Sequence, residues 1–475
     1  MRIAILSSEV VPFAKTGGLA DVSGALPKAL KNDGNDAVVV LPLHQQINRE
    51  LLDPKPIDDL RVEWRGHPRL TRVWRSQAAG APAYLIDAPE YFSRPLIYGY
   101  GDDHERYAFF CRAALDLCRH FSWQPDIVHG NDWPCGFGIV ELRARRRFDP
   151  FFRDTKSVFA IHNLAYQGLF DIKDLWWLGF GEPPERDDFI LRGMASSLKA
   201  GLVAADALST VSRRYAEEIQ TPAQGSGLDW LLRARRDRLA GITNGVDYDI
   251  WDPEKDPYIA RNFSVKDLSG KRECKADLLR RFGLPAQLQR PVIAIISRLV
   301  AQKGYDLIRQ LAGEILSTDA FIIALGAGAK EYQDFLQSWH NIAPQRVGVY
   351  IGYAGEPLAH QIEAGADMFL MPSEYEPCGL NQMYSMRYGT VPIVRATGGL
   401  DDTVQNFDEK TGIGNGFKFH EYGAPALLDK IREALYFYDK LELWQRIQTN
   451  GMTMDNSWSA AAAKYADFYR EVLKL

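Results

Sequence analysis

Two cations leave one apolar run together in "SRLVAQKG" (297 to 304), where Arg298 and Lys303 stand five residues apart and Gly304 lets the chain approach a ligand closely. A fixed guanidinium fork and a point charge beside backbone N–H groups suit a diphosphate, whose charge must be met as it departs. From this stretch alone, a surface pair at a helix start reads equally well. "SEYEPCGLNQ" (373 to 382) sets Glu374 and Glu376 before a Pro-Cys-Gly turn that opens a helix. Unpaired N–H groups at a helix start attract an anion, and a carboxylate on the turn accepts from sugar hydroxyls, so this loop can hold a sugar and a phosphate. Cys378, with no histidine near it in sequence, reads as a small packing residue rather than a nucleophile.

The first half carries its own clusters. "KTGGLADV" (15 to 22) places a lysine ahead of a glycine pair, which is neither a P-loop nor a dinucleotide fingerprint. Asp132 in "VHGNDWP" and His162 in "FAIHNLAYQG" both follow apolar runs, with Trp133 and Tyr166 alongside. A lone histidine at a strand end is often only structural. Two polar residues on neighbouring strand ends beside aromatic rings suit a sugar, because rings pack on pyranose faces while carboxylates bind hydroxyls. "GAGAKE" (326 to 331) lacks the third glycine that hydride transfer on NAD would require, and "DYD" (247 to 249) follows "NGV" and reads as a turn. With no His-to-His metal spacing and only scattered carboxylates, no metal site is expected.

Residues of this kind need rigid strands behind them. Short apolar runs alternate with helical stretches at 2–8, 37–42, 83–88, 126–130, 157–162 and 207–212, and the pattern restarts at 291–297, 321–326, 348–353, 367–372 and 391–396. The break is a charged, Pro- and Lys-rich stretch at 252–272. This alternation predicts an α/β protein of two doubly wound, parallel-sheet domains, residues 1–250 and 251–456, with ligands collecting at the carboxyl ends of strands in a cleft that the domains face. The segment 41–51 has no clear assignment.

The chain of 475 residues, 46% hydrophobic and 25% charged, has the composition of an ordinary globular protein. Its net charge of −5 marks no nucleic-acid binder; the basic runs at 141–148 and 231–238 read as solvated helix faces or a local polyanion contact. Five cysteines without a C-x-x-C pair fit a reducing compartment. No apolar run is long enough for a membrane span and no leader is recognised, so a cytoplasmic protein is expected, with a mature plastid form as the alternative.

Taken in order, "SSEVVPFAKTGGLADVSGALP", "HNLAYQG", "LKAGLVAADALSTVS", "SRLVAQKGYDL" and "PSEYEPCGLNQMYSMRYGTVPIVRATGGLDDTV" resemble the bacterial glycogen synthases and plant starch synthases over essentially the whole chain. The resemblance implies a GT-B fold of two Rossmann-like domains, with a last helix at 457–475 returning to the first and a hinge near 245–255. It implies a retaining enzyme that moves glucose from ADP-glucose to the non-reducing 4-OH of an α-1,4-glucan or malto-oligosaccharide, without cofactor or metal. Lys15, Gly17, Gly18, Arg298, Lys303, Gly379 and Leu380 would then meet the diphosphate, and Tyr353 the adenine. Asp132, His162, Asn163, Glu376 and Cys378 would hold the glucose; Asp21, Trp133 and Tyr166 would face the acceptor. Catalysis would rest on Glu376, Arg298, Lys303, His162 and Asp132. The chain departs from the family pattern at Asn131 and Pro134, where many members have histidines, and at Asn381, where they have threonine. A UDP-glucose transferase, an NAD-dependent oxidoreductase and a silent glucan-binding scaffold are the competing readings.

Overall fold

Aliphatic and β-branched runs flanked by helical segments become strands buried on both faces, because a parallel sheet is covered on each side by its crossover helices. In the computed structural model, which describes residues 1–353 and 355–475, such strands build two compact units. The first comprises Met1–Gly245 with Trp458–Leu475, the second Val246–Ser457. The division therefore falls after residue 245 rather than 250, since the turn from Val246 onward hydrogen-bonds within the second unit, its N–H donating to Asn456 O at 2.7 Å.

The first unit holds β1 (Arg2–Leu6), β2 (Asp36–Pro42), β3 (Asp58–Trp64), β4 (His67–Ser76), β5 (Ala83–Asp87), β6 (Ile127–Asn131), β7 (Lys156–Ile161), β8 (Leu169–Phe170), β9 (Ile190–Leu191), β10 (Met194–Ser196), β11 (Ala207–Thr210) and β12 (Leu239–Gly241). Nine of them form one sheet in the order β12-β11-β7-β6-β1-β2-β5-β4-β3, while β8, β10 and β9 make a small antiparallel sheet. The strands expected from sequence are all parallel, but β3 and β4 form an antiparallel hairpin at the sheet edge. Sequence reading passes over them because "DDLRVEW" hides a half-buried alternation among charges; its outward residues are exposed and Leu60, Val62 and Trp64 are buried. The unassigned segment 41–51 packs Leu43 and Ile47 into the core and ends in a short 3₁₀ turn, Arg49–Leu51.

The terminal helix Trp458–Val472 buries one stripe, including Ala462, Tyr465, Ala466 and Tyr469, in the same core as Leu26 and Leu30 of the helix Gly18–Asn32. Burying side chains of this size contributes roughly 1.5–3 kcal/mol each, which holds the chain's end to its beginning. The basic run at 141–148 is neutralised: Arg143, Arg145, Arg146 and Arg147 pair with Asp188, Glu141 and Asp116, Asp206, and Glu185.

The second unit holds β13 (Val292–Ile296), β14 (Phe321–Gly326), β15 (Val347–Ile351), β16 (Met368–Met371), β17 (Val391–Arg395) and β18 (Phe417–Phe419), all parallel in the order β15-β14-β13-β16-β17-β18. Apolar clusters cover both faces. The order in which strands are added reverses at β13/β16 here and at β1/β6 in the first unit. At such a switch point the outgoing loops part and leave a crevice. No helix among the described residues is long and apolar enough to cross a membrane.

Candidate active site

At the β1/β6 switch point, β1 runs into the buried Ser7, Ser8 and Glu9. The Glu9 carboxylate accepts from the Thr16 N–H (2.5 Å), the Thr16 hydroxyl (2.9 Å), the Gly17 N–H (3.1 Å) and the Tyr98 hydroxyl (2.9 Å). It thereby pins the Lys-Thr-Gly-Gly loop from below. In this structure the Gly17 N–H, expected to face a phosphate, donates to Glu9, and Gly18 starts the helix directly after it. Lys15 Nζ donates to Asp21 Oδ1 at 2.7 Å, and the lysine side chain is half exposed. Asp21, expected to face the acceptor, is in this structure the partner of that cation. Glu9 escaped sequence reading, although a carboxylate three residues beyond a buried strand was the available signal.

β6 ends at Asn131, and Asp132 follows with a left-handed φ of 52°. That conformation costs roughly 1–3 kcal/mol outside glycine and is held here by two hydrogen bonds. The Asp132 carboxylate accepts from the backbone N–H of His162 (2.7 Å) and of Asn163 (3.4 Å), tying the end of β6 to the end of β7. Burial pushes the Asp132 carboxyl up to about 7, against the pull of those two N–H groups. Burial, aided by His129, pulls His162 down to about 3, so its imidazole is neutral. Asn163 turns its own side-chain oxygen back onto the Ala165 N–H (3.1 Å), leaving its NH₂ for a ligand. Trp133 is only half buried but lies against Tyr98 and Tyr107, with ring centroids 5.8 and 5.2 Å away. Its position makes it part of an aromatic wall rather than a free platform. Tyr166 remains exposed.

At the β13/β16 switch point, Lys303 Nζ donates to Glu376 Oε2, and Ser373 Oγ donates to the same oxygen at 3.1 Å. Both members of the ion pair are largely buried. Gly304 (φ 77°) makes the approach possible, since a Cβ there would stand 2.2 Å from Pro372 O. Gly398 lies equally close under Glu376, where a Cβ would meet Glu376 O at 1.9 Å. Gln302 joins the two loops: its N–H₂ donates to Tyr375 O (3.0 Å) and its backbone oxygen accepts from the Glu374 N–H (2.8 Å).

Arg298 is exposed, donates to Gln302 Oε1 at 3.3 Å and has no acidic partner among the described residues. Gly379 takes a left-handed φ of 70°, and Leu380 precedes the helix Asn381–Arg387, which Asn381 anchors through a bond from its NH₂ to Ile296 O (3.0 Å). Cys378 is buried, and Tyr353 is 90% exposed beyond β15. The second unit therefore gathers Arg298, Lys303, Glu376, Cys378, Gly379 and Leu380 at one strand-end crevice. The first gathers Lys15, Gly17, Gly18, Asp21, Asp132, Trp133, His162 and Asn163 at another.

Residues 2–234 match the family described as starch synthase catalytic domain, and residues 279–451 match glycosyl transferases group 1. The chain is 46% identical to a glycogen synthase of Koribacter versatilis over 99% of its own length and 98% of that protein's. It is 44% identical to a glycogen synthase of Geobacillus stearothermophilus over 100% and 98%. Among solved structures, the catalytic domain of starch synthase IV from Arabidopsis thaliana bound to ADP and acarbose superposes with a TM-score of 0.91 at 31% identity, covering 100% of this chain and 99% of that one. Sucrose-phosphate synthase from Thermosynechococcus elongatus shares the fold at 17% identity and a TM-score of 0.61.

Proposed function

The chain belongs to the glycogen synthase and starch synthase family of glycosyltransferases, and from that premise we propose that it lengthens an α-1,4-glucan by moving glucose from ADP-glucose to the non-reducing 4-OH, with anomeric configuration retained. The observation that carries the chemistry is in the second unit. Lys303 is held on the buried Glu376 while Arg298, five residues before it, keeps an exposed guanidinium with no carboxylate to neutralise it among the described residues. An unpaired guanidinium beside a positioned ammonium suits a diphosphate whose charge grows as it leaves. Gly379 and Leu380 support the same role, since neither N–H has an acceptor among the described residues. The exposed ring of Tyr353 supports adenine stacking.

In the proposed reaction the bond from glucosyl C1 to the phosphate oxygen breaks and the bond from C1 to the acceptor O4 forms on the same face. The 4-OH proton passes to the departing phosphate oxygen. In the first unit the neutral His162 and the Asn163 amide are assigned to sugar hydroxyls, and Lys15 to the distal phosphate once it exchanges Asp21 for it; in the second unit Glu376 is assigned to sugar hydroxyls. The acceptor is an α-1,4-glucan or malto-oligosaccharide, with Asp21, Trp133 and Tyr166 on its side. All five cysteines are buried and none forms a disulfide, which supports work in a reducing cytoplasm. The experiment is incubation of the protein with a glucan primer and either ADP-glucose or UDP-glucose, followed by chain-length analysis. Extension with ADP-glucose is expected; extension with UDP-glucose alone, or none with either, overturns the reading.

A further inference from the structure

Asn131 stands at the carboxyl end of β6, almost wholly buried, with three partners. Its NH₂ donates to Leu6 O at 2.9 Å, while its Oδ1 lies 2.8 Å from His162 Nε2 and 3.2 Å from His129 Nε2. The proton positions follow from one fact: a backbone carbonyl can only accept. The carboxamide must turn its NH₂ toward Leu6, so its oxygen faces both imidazoles. Both rings must then carry hydrogen on Nε2.

Each imidazole is neutral, because burial pulls His129 down to about 4 and His162 to about 3, so each has one bare nitrogen, Nδ1. The bare nitrogen of His129 is filled from behind by the hydroxyl of Tyr469 on the terminal helix, 2.7 Å away. The bare nitrogen of His162 has no partner among the described residues. The other groups packed around His162 do not compete for it. Asp132 engages the His162 backbone N–H, and Glu9 is occupied by the Lys-Thr-Gly-Gly loop.

We infer that Asn131 is a positioning residue that locks His162 in the Nε2–H form, so that His162 presents Nδ1 as an acceptor to a hydroxyl of the transferred sugar. The sugar contact rests on the proposed function; the tautomer does not. A site built this way reads the sugar hydroxyl as a donor, and the opposite tautomer would set two acceptors, Asn131 Oδ1 and a bare Nε2, against each other. Tyr469 closes the chain of hydrogen bonds on the far side of His129.

The test uses the full-length protein labelled with ¹⁵N-histidine, with His162 assigned by His162→Gln and long-range ¹H–¹⁵N spectra recorded without substrate. The wild type is expected to show His162 protonated at Nε2 with Nδ1 bare. Asn131→Leu, which removes the acceptor at similar volume, is expected to give mixed His162 tautomers and at least a tenfold loss of kcat, about 1.4 kcal/mol, with a smaller change in KM. Asn131→Asp keeps an oxygen toward both rings and is expected to restore the Nε2–H signature. A wild-type His162 protonated at Nδ1 overturns the inference, as does an Asn131→Leu spectrum unchanged at His162. Should Asn131→Leu fail to fold, the wild-type and Asn131→Asp spectra still decide. A correct tautomer in a protein that ignores ADP-glucose refutes the proposed function and the sugar contact, and leaves the positioning of His162 by Asn131 standing.

Discussion

The two switch points handle polarity in opposite ways. In the first unit the charges are spent inside the protein: Glu9 on the loop it pins, Lys15 on Asp21, and Asp132 on two N–H groups, with two neutral histidines beside them. In the second unit one cation is buried on a carboxylate and another stands unneutralised at the surface. Neutral, buried groups recognise hydroxyls by direction; available cations answer charge. Under the proposed function, this contrast corresponds to sugar recognition mainly at one sheet and leaving-group stabilisation mainly at the other.

The largest effect that would test this division is at Lys303. Lys303→Ala is expected to lower kcat on the order of 10²–10³, with glucan KM little changed, as read from ADP release. Comparison with Lys303→Ala/Glu376→Gln separates the lost charge from the stranded carboxylate. A variant with normal kcat and only a raised KM would contradict the assignment. Arg298→Ala should follow at about 10² in kcat. Because its exposed side chain bonds only Gln302 among the described residues, the unfolding free energy of the variant should stay within about 0.5 kcal/mol of wild type in urea titrations.

The first unit should respond through pH. Asp132 has a folded-state value raised to about 7 against an ordinary 3.8. Between those values the folded state holds a proton that the unfolded chain has released, so stability falls as pH rises and levels off above about 7. Relative to Asp132→Asn, the wild type should lose a few kcal/mol, about 2–4, across that window. Parallel curves in thermal melts from pH 4 to pH 8 would show that Asp132 does not titrate there.

Smaller changes belong to exposed groups. Lys15→Gln should raise the KM for ADP-glucose roughly tenfold, the loss of one charge-assisted bond. Its melting point should barely move, since the Lys15–Asp21 pair is partly exposed and worth under about 1 kcal/mol. Tyr353→Ala should cost only about 1 kcal/mol of donor affinity, measured by ADP titration, and nothing in stability.

Much of this was legible beforehand. Aliphatic runs such as "PVIAIIS" and "FIIALG" become parallel strands whatever surrounds them, because only a doubly covered sheet buries both faces. Arg298, Lys303, Glu376, Asp132 and His162 could be picked out as residues beyond strand ends, and the structure places them after β13, β16, β6 and β7. The edge hairpin β3–β4 was not legible, since its apolar residues alternate with charges and its partner strand supplies the burial.

The amino-acid order by itself determined the alternation of strands and helices and the residue types at each strand end, because those depend on neighbours a few positions away. Only the tertiary structure decided which of those groups are charged, neutral or already engaged. Asn131 draws its orientation from Leu6, 125 residues back, and His129 is capped by Tyr469, 340 residues on. Burial and hydrogen-bond partners set protonation, and both come from parts of the chain that meet only when it folds.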